Sequence, residues 1–502
     1  MNGSTGAIKI ENPDLHFLVR RRAPEQCALA TFVIGLLAGY ALAQLSFRGP
    51  SVVFNAMLLI LILTFQLFMI PIYVLIVRTY GLADRHLGSI LAGPWCSSSR
   101  PSSSSLSSSA SSSNRISVRA SRDEAATGCR SRMTANQRTE ALPIGAPAFS
   151  LERLGVVMSP LAGEPTEALG VLNPATARRG SEVYLFPRLV AEGNYSRIGR
   201  ARVIFDAAGI PVDVERLGVV LEPQEAWELH AGGGGVEDPR ITYMPRLSRW
   251  IMTYVAYGPF GPRIGLAASA DLERWDRLGP VSFAYDPGLA ADLNLYPNKD
   301  ALLFPEPVAD PSGSLAYAML HRPIWDLSLA RPGEGESLPA GLANPRPGIW
   351  VSFVGAAAVE ADLRALTRFD QHRLVALPER AWEALKIGGG TPPIRIAEGW
   401  LVLYHGVSGT LARSLQPQPD VRYSAGALVL DAADVTRVVA RSVEPLLEPE
   451  LREELIGIVS NVVFPTAIEP LDESASSAYD VYYGMADSRI GVARLRRTGP
   501  RP

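Results

Sequence analysis

Cysteine is scarce here: the 502 residues include only Cys27, Cys96 and Cys129, all before residue 130 and none at metal-ligand spacing. Neither a zinc site nor a disulfide framework is therefore expected, and the soluble part reads as belonging to a reducing compartment. An excess of one charge is lacking too. With 48 Lys and Arg against 50 Asp and Glu, the formal net charge is −2, which gives no electrostatic footprint for nucleic acid. Beyond about residue 142 long amphipathic helical periodicity is missing, and short strand-like runs alternate with Gly, Pro and Asp turns, an all-β pattern.

Long apolar runs are present near the start, at about 27–47 and 51–77. Each is long enough to cross a hydrocarbon core as a helix at about 1.5 Å per residue. They read as a two-helix transmembrane hairpin in a membrane region 1–93 that contacts the lipid bilayer; buried core helices are the alternative, but those carry a polar stripe that these runs lack. Arg20, Arg21 and Arg22 before the pair and Arg78 and Arg85 after it, against Arg48 between, place both ends in the cytoplasm. The expected location is a multi-pass inner or plasma membrane with the following domain cytoplasmic. Residues 94–141, with the run Ser102-Ser103-Ser104-Ser105, are too polar to bury a core and read as a disordered Ser/Arg-rich linker.

From 142 to 502 an apolar run recurs five times: Val183-Tyr184-Leu185-Phe186, Ile251-Met252-Thr253-Tyr254, Leu315-Ala316-Tyr317-Ala318-Met319, Leu401-Val402-Leu403-Tyr404 and Val481-Tyr482-Tyr483. Before each lies a proline-bearing loop: Asn173-Pro174, Asp238-Pro239, Phe304-Pro305, Pro392-Pro393 and Phe464-Pro465. Five copies at roughly 60 to 90 residues predict a five-bladed β-propeller; a β-sandwich with fortuitous repetition is the alternative.

Innermost propeller strands converge on a central channel, so polar residues at matching points become neighbours. After the runs stand Arg188, Tyr257, His321 with Arg322, His405 and Asp487. The loops before them offer Asn173, Asp238 with Arg240, Lys299 with Asp300, Lys386 and Asn461. Acids, cations and amides around one pocket suit a polyhydroxylated substrate together with an anion.

Seven segments in order carry a resemblance: Gly235-Val236-Glu237-Asp238-Pro239-Arg240-Ile241-Thr242, Asn298-Lys299-Asp300-Ala301-Leu302-Leu303-Phe304-Pro305, Leu320-His321-Arg322-Pro323, Lys386-Ile387-Gly388-Gly389-Gly390-Thr391-Pro392-Pro393-Ile394, Gly399-Trp400-Leu401-Val402-Leu403-Tyr404-His405-Gly406, Asn461-Val462-Val463-Phe464-Pro465 and Tyr482-Tyr483-Gly484-Met485-Ala486-Asp487. The stretch from about Leu172 to Leu495 resembles glycoside hydrolase family 130, mannoside phosphorylases and related β-mannosidases built as five-bladed propellers. The resemblance implies inverting phosphorolysis of a β-mannoside oligosaccharide to α-mannose 1-phosphate, with inorganic phosphate as co-substrate and no cofactor. It makes Asp238 the catalytic acid, acting through a sugar hydroxyl, and Arg188, Lys386 and His405 phosphate ligands. Asn173, His321 and Asp487 match sugar contacts, and Asn298, Lys299 and Asp300 line the same pocket; Arg240, Tyr257 and Arg322, taken from the matching points of the repeats, are expected to bind substrate as well.

Physical chemistry agrees. An inverting hydrolase needs a second carboxylate to activate water, whereas a phosphorylase needs cations that hold phosphate against the anomeric carbon. The set Arg188, Lys386 and His405 therefore favours phosphorolysis, and the Asp238 carboxyl is expected to have a raised pKa or a late-delivered proton. Glu237 reads as a structural partner of a neighbouring loop or of Arg240. The alternatives are a β-mannosidase on the same fold, or a silent glycan-binding propeller if Asp238 is pinned in an ion pair. The segment Leu327 to Pro347, rich in Gly and Pro, is longer than the family's usual connection. A homo-oligomer stays open, as do linkage and acceptor sugar.

Overall fold

The computed structural model describes residues 149–497 apart from 231, 329, 332, 411–419 and 472–477. The apolar runs at 27–47 and 51–77, the stretch 94–141 and the boundaries at 93 and 141 lie outside the described residues. The expected membrane location is corrected: among the described residues no helix is long and apolar enough to cross a membrane. The longer of the two α-helices there, Ala356–Ala361, has six residues, about 9 Å of rise against a core of about 30 Å.

The fold is mostly β, made of five antiparallel meanders. Unit I comprises Gly170–Arg179, Glu182–Ala191, Tyr195–Phe205 and Pro211–Leu221; unit II comprises Gly234–Met244, Arg249–Gly258, Gly261–Ser269 and Asp276–Pro280. Unit III contains Asn298–Leu303, Leu315–Pro323, Ile349–Gly355 and Arg368–Ala376, and unit IV contains Lys386–Gly389, Gly399–Gly409, Val421–Leu430 and Val438–Arg441. Unit V is Val463–Pro470, Ala478–Met485 and Arg489–Arg497, completed by the earliest described strand, Phe149–Met158, in antiparallel register with Arg489–Arg497.

Strand alternation makes these sheets pack on both faces. In the second strand of unit III, Ala318 and Leu320 join a core shared with unit IV, while Tyr317 and Met319 join a core shared with unit II. Three further cores lie between units I and II, V and I, and IV and V. Five cores between successive units close a ring, which a two-sheet sandwich would not produce. Each fully buried Leu, Val or Phe contributes roughly 1.5–3 kcal/mol.

A buried clamp recurs at matching points. Glu228 accepts from the Tyr254 hydroxyl (2.7 Å) and Arg277 (2.9 Å). Glu383 does the same with Tyr404 (2.5 Å) and Arg441 (2.7 Å), and Glu454 with Tyr483 and Arg153 (both 2.9 Å). Each carboxylate also caps two backbone N–H groups, so these buried charges are fully paired. The register puts Pro187 and His321 at the tyrosine position of units I and III.

Candidate active site

The first strand of every unit carries one extra residue at the same point. The register slips between Leu172 and Ala175, Glu237 and Arg240, Lys299 and Leu302, and Pro465 and Ala467. In unit IV the N–H groups of Gly390 and Thr391 both reach the Leu403 carbonyl. Asn173, Asp238 and Asp300 sit on these bulges with φ of 44°, 46° and 57°. That left-handed conformation is one that Asn and Asp tolerate best among residues with a Cβ. Thus in unit III the counterpart of Asp238-Pro239 is Asp300-Ala301, whereas Phe304-Pro305 lies past the bulge.

Opposite the residue before each bulge stand Arg188, Val255, Arg322, His405 and Gly484. Arg188 donates to Asp238 Oδ1 (3.1 Å), Glu237 Oε1 (2.8 Å) and Ser196 Oγ (2.9 Å). Asn173 Nδ2 donates to the same Asp238 oxygen at 2.9 Å, and Lys299 Nζ lies 3.7 Å from Glu237 Oε2. Glu237 is therefore a partner of Arg188 and Lys299, not of Arg240. Arg240, 2% exposed, donates to the carbonyls of Gly390, Asp238 and Pro239 and lies over the Phe464 ring.

A second cluster adjoins the first. Arg322 Nε donates to Asp300 Oδ2 at 2.5 Å, and His405 Nε2 lies 3.7 Å from that oxygen. His405 packs edge-on against Phe464 and stacks on Tyr423, whose ring also carries the Lys386 ammonium at 5.3 Å. The Gly388-Gly389-Gly390 run is buried rather than a flexible solvated loop. A Cβ at Gly388 would collide with Asp300, His405 and Arg322, and one at Gly484 with Asn173.

The raised-pKa form of the Asp238 expectation is corrected, as is the expected charge of His405; a late-delivered proton stays compatible with the geometry. Burial opposes ionisation of Asp238, but Arg188, Lys299 and Arg240, with the Asn173 hydrogen bond, hold its pKa below the ordinary carboxylate range rather than above it. His405 was expected as a cation; burial pushes its pKa down to about 3, so it is neutral, and its Nδ1 has no hydrogen-bond partner among the described residues. Asp487, partly buried with φ 50°, is pushed up to about 6 by desolvation and by Asp238 and Glu237, against the pull of Arg188 and Lys299.

Other predicted residues have partners outside these two clusters. His321, 1% exposed, bonds Asn298 through Nδ1 and Ser352 through Nε2 (2.8 Å), and Ser352 passes the chain on to His372. Tyr257 packs edge-on against His230 beside the Gly232-Gly233-Gly234-Gly235 segment. Asn461, at φ 60°, accepts the Tyr423 N–H through its carbonyl. Sequence reasoning missed Ser196 and Tyr423, ordinary strand residues with no local signal, and read Phe464 only as part of a proline-bearing loop. A cavity of about 540 Å³ between Arg178, Tyr243, Trp250 and Glu469 lies at the other ends of the first strands and includes none of the predicted residues.

This geometry can be set beside known proteins. The sequence model of glycoside hydrolase family 130, described as beta-1,4-mannooligosaccharide phosphorylase, matches residues 147–335 and 349–498, more than half of the chain. The chain belongs to glycoside hydrolase family 130. It is an enzyme of the glycoside phosphorylase type. Among family 130 relatives, a 1,2-beta-oligomannan phosphorylase of Thermoanaerobacter sp. is 30% identical over 349 residues, 68% of this chain and 94% of that one. A beta-1,2-mannobiose phosphorylase of the same organism is 30% identical over 371 residues, covering 70% and 98%. A beta-1,4-mannooligosaccharide phosphorylase of Ruminococcus albus is 29% identical, covering 58% and 71%. The fold is shared with a glycoside hydrolase structure from Parabacteroides distasonis, at TM-score 0.50 and 21% identity, covering 69% of this chain and 96% of that one.

Proposed function

We propose that this chain is a five-bladed propeller that cleaves a β-mannoside with inorganic phosphate, with inversion, giving α-mannose 1-phosphate. The observation that carries the reading is the charge pattern around Asp238: Arg188 and Lys299 act on it, and neighbouring Glu237 is tied to the same two cations; the Arg188 ion pair, which a silent propeller would also show, engages the Oδ1 atom of Asp238. An inverting hydrolase needs a further carboxylate to activate water; Glu237 is held by the two cations, which leaves Asp487 as the group a hydrolase would use.

Phosphate enters between Arg188, Lys386 and neutral His405, whose unpartnered Nδ1 serves as a donor when protonated. The protein's own contacts to Asp238 use Oδ1, so Oδ2 addresses a sugar hydroxyl, through which the proton reaches the glycosidic oxygen. An arriving phosphate anion offsets the cations that keep Asp238 ionised and raises its pKa, so the acid becomes competent once the nucleophile is in place. Phosphate then forms its bond to the anomeric carbon as the glycosidic bond breaks and the leaving oxygen takes the proton.

The test is incubation of the full chain with β-1,2- and β-1,4-linked mannosides, with and without phosphate. Mannose 1-phosphate that appears only with phosphate supports the reading. Free mannose formed without phosphate would show a hydrolase, with Asp487 as the base to examine.

A further inference from the structure

The family's sequence model stops at residue 335 and resumes at 349, and the skipped stretch is tied down at both ends. Upstream, Ser337 N–H donates to Trp325 O (3.2 Å) and Ala340 N–H to Leu289 O (2.6 Å), while Leu338 and Leu342 pack against the cluster that contains Trp325 and Trp350. Downstream, Arg346 donates to Pro378 O (3.0 Å), Ala384 O (3.3 Å) and Asn344 Oδ1 (3.0 Å). The next residue, Pro347, accepts the Ile387 N–H at 3.0 Å.

That last bond reaches the site. The strand Lys386–Gly389 pairs with Gly399–Gly409 on one side, and the Pro347 carbonyl takes a donor from its other edge. Ile387 lies between Lys386, whose ammonium sits over Tyr423, and Gly388, which packs directly on Asp300, Arg322 and His405. Arg346 bonds only neutral oxygens among these partners, so its charge is kept, and Asn344→Ala, which loosens the guanidinium without removing that charge, separates positioning from a charge effect.

Resting on the phosphorylase reading above, we propose that Arg346, through the Pro347 carbonyl, is a positioning residue for the phosphate side of the site. It fixes the edge of the strand Lys386–Gly389 and so the span between Lys386 and His405 across which the oxyanion is held. The brace lies in a stretch outside the sequence that the family shares, which makes it this chain's own means of tuning anion affinity. Small misplacements of such groups are costly.

The test uses the full chain with Arg346→Ala, the milder Asn344→Ala and the conservative Arg346→Lys, varying phosphate and mannoside separately. The expected result for Arg346→Ala is an increase in KM for phosphate of about tenfold, with kcat and the mannoside KM within about twofold. Asn344→Ala shifts the phosphate KM less, and Arg346→Lys restores part of the loss. Unchanged constants, or equal loss for both substrates, overturn the proposal. Calorimetric titration with inorganic phosphate alone decides it independently of turnover: weaker binding by Arg346→Ala supports it and equal binding overturns it. If Arg346→Ala does not fold, Asn344→Ala decides by the same criteria. A wild-type chain that binds phosphate but turns over no mannoside would sink the phosphorylase reading alone, and one that binds no phosphate would sink both.

Discussion

Arg188 and Asp238 meet at 3.1 Å, and the other terminal nitrogen of the same guanidinium holds Glu237 at 2.8 Å. The arginine is therefore secured even when Asp238 is neutral. On the proposed reading of Asp238 as the acid this matters, because such a group must lose and regain its charge without its neighbours rearranging.

Replacing Asp238 with Asn removes the transferable proton while Glu237 and Ser196 continue to hold Arg188. Phosphorolysis is expected to fall by about 10²–10⁴-fold, with the melting temperature within a few degrees of wild type. Mannose 1-phosphate assay and thermal melts on the same sample check both halves.

Asp487 carries a pH signature. Its folded pKa of about 6 lies above the ordinary Asp value, so between about pH 4 and 6 the folded state binds more protons than the unfolded one. Stability from this group is present at low pH and lost as pH rises through that window. Asp487→Asn should stabilise the ligand-free protein at pH 7.5 by about 1–2 kcal/mol, allowing for partial exposure, and flatten the profile from pH 4 to 6. Asp238 and Asp300 have depressed pKa values, so loss of stability below about pH 4 should persist in the variant. Denaturant melts across pH read both effects.

His405 should not titrate between pH 5 and 8. The chain's six histidines, His405 included, are few enough for ring NMR assignments by single substitution. An imidazole signal belonging to His405 with a midpoint near 6.5 would refute the neutral donor and restore a cationic role.

Gly388→Ala places a methyl group on Asp300, Arg322 and His405 at once. Activity should drop by more than about 100-fold, in line with the cost of misplacing a catalytic constellation, with phosphate binding lost in parallel. Gly335→Ala is no control, since its φ is +67°; Gly355→Ala, with open space around it, should leave turnover unchanged.

Much of this was legible in the residues. The five apolar runs all fall on second strands of their units, and Asp238, Arg188 and Asn173 do converge. The third unit misled because its bulge carries Asp300-Ala301 without proline, and a nearby Phe304-Pro305 mimics the pattern. His321 looked like a mouth residue because it ends an apolar run, yet it takes the buried position that tyrosine fills in three other units. The Glu-Tyr-Arg clamps could not be read: Glu454 and Arg153 are 301 positions apart, and no local pattern links them. The direction of the Asp238 shift depends on distances to Arg188 and Lys299 that spacing alone does not supply. The membrane expectation rested on composition at 27–77, outside the described residues.

The strand Phe149–Met158 completes a sheet whose other three strands are the last ones described. During synthesis it must wait for a partner strand about 340 residues downstream, about 17–70 s at roughly 5–20 residues per second. Throughout that interval it is an unpaired edge, open to pairing with other chains. A nascent copy of this enzyme consequently carries an open edge until Arg489–Arg497 has been made, and a chaperone that covers this one segment would guard the whole ring.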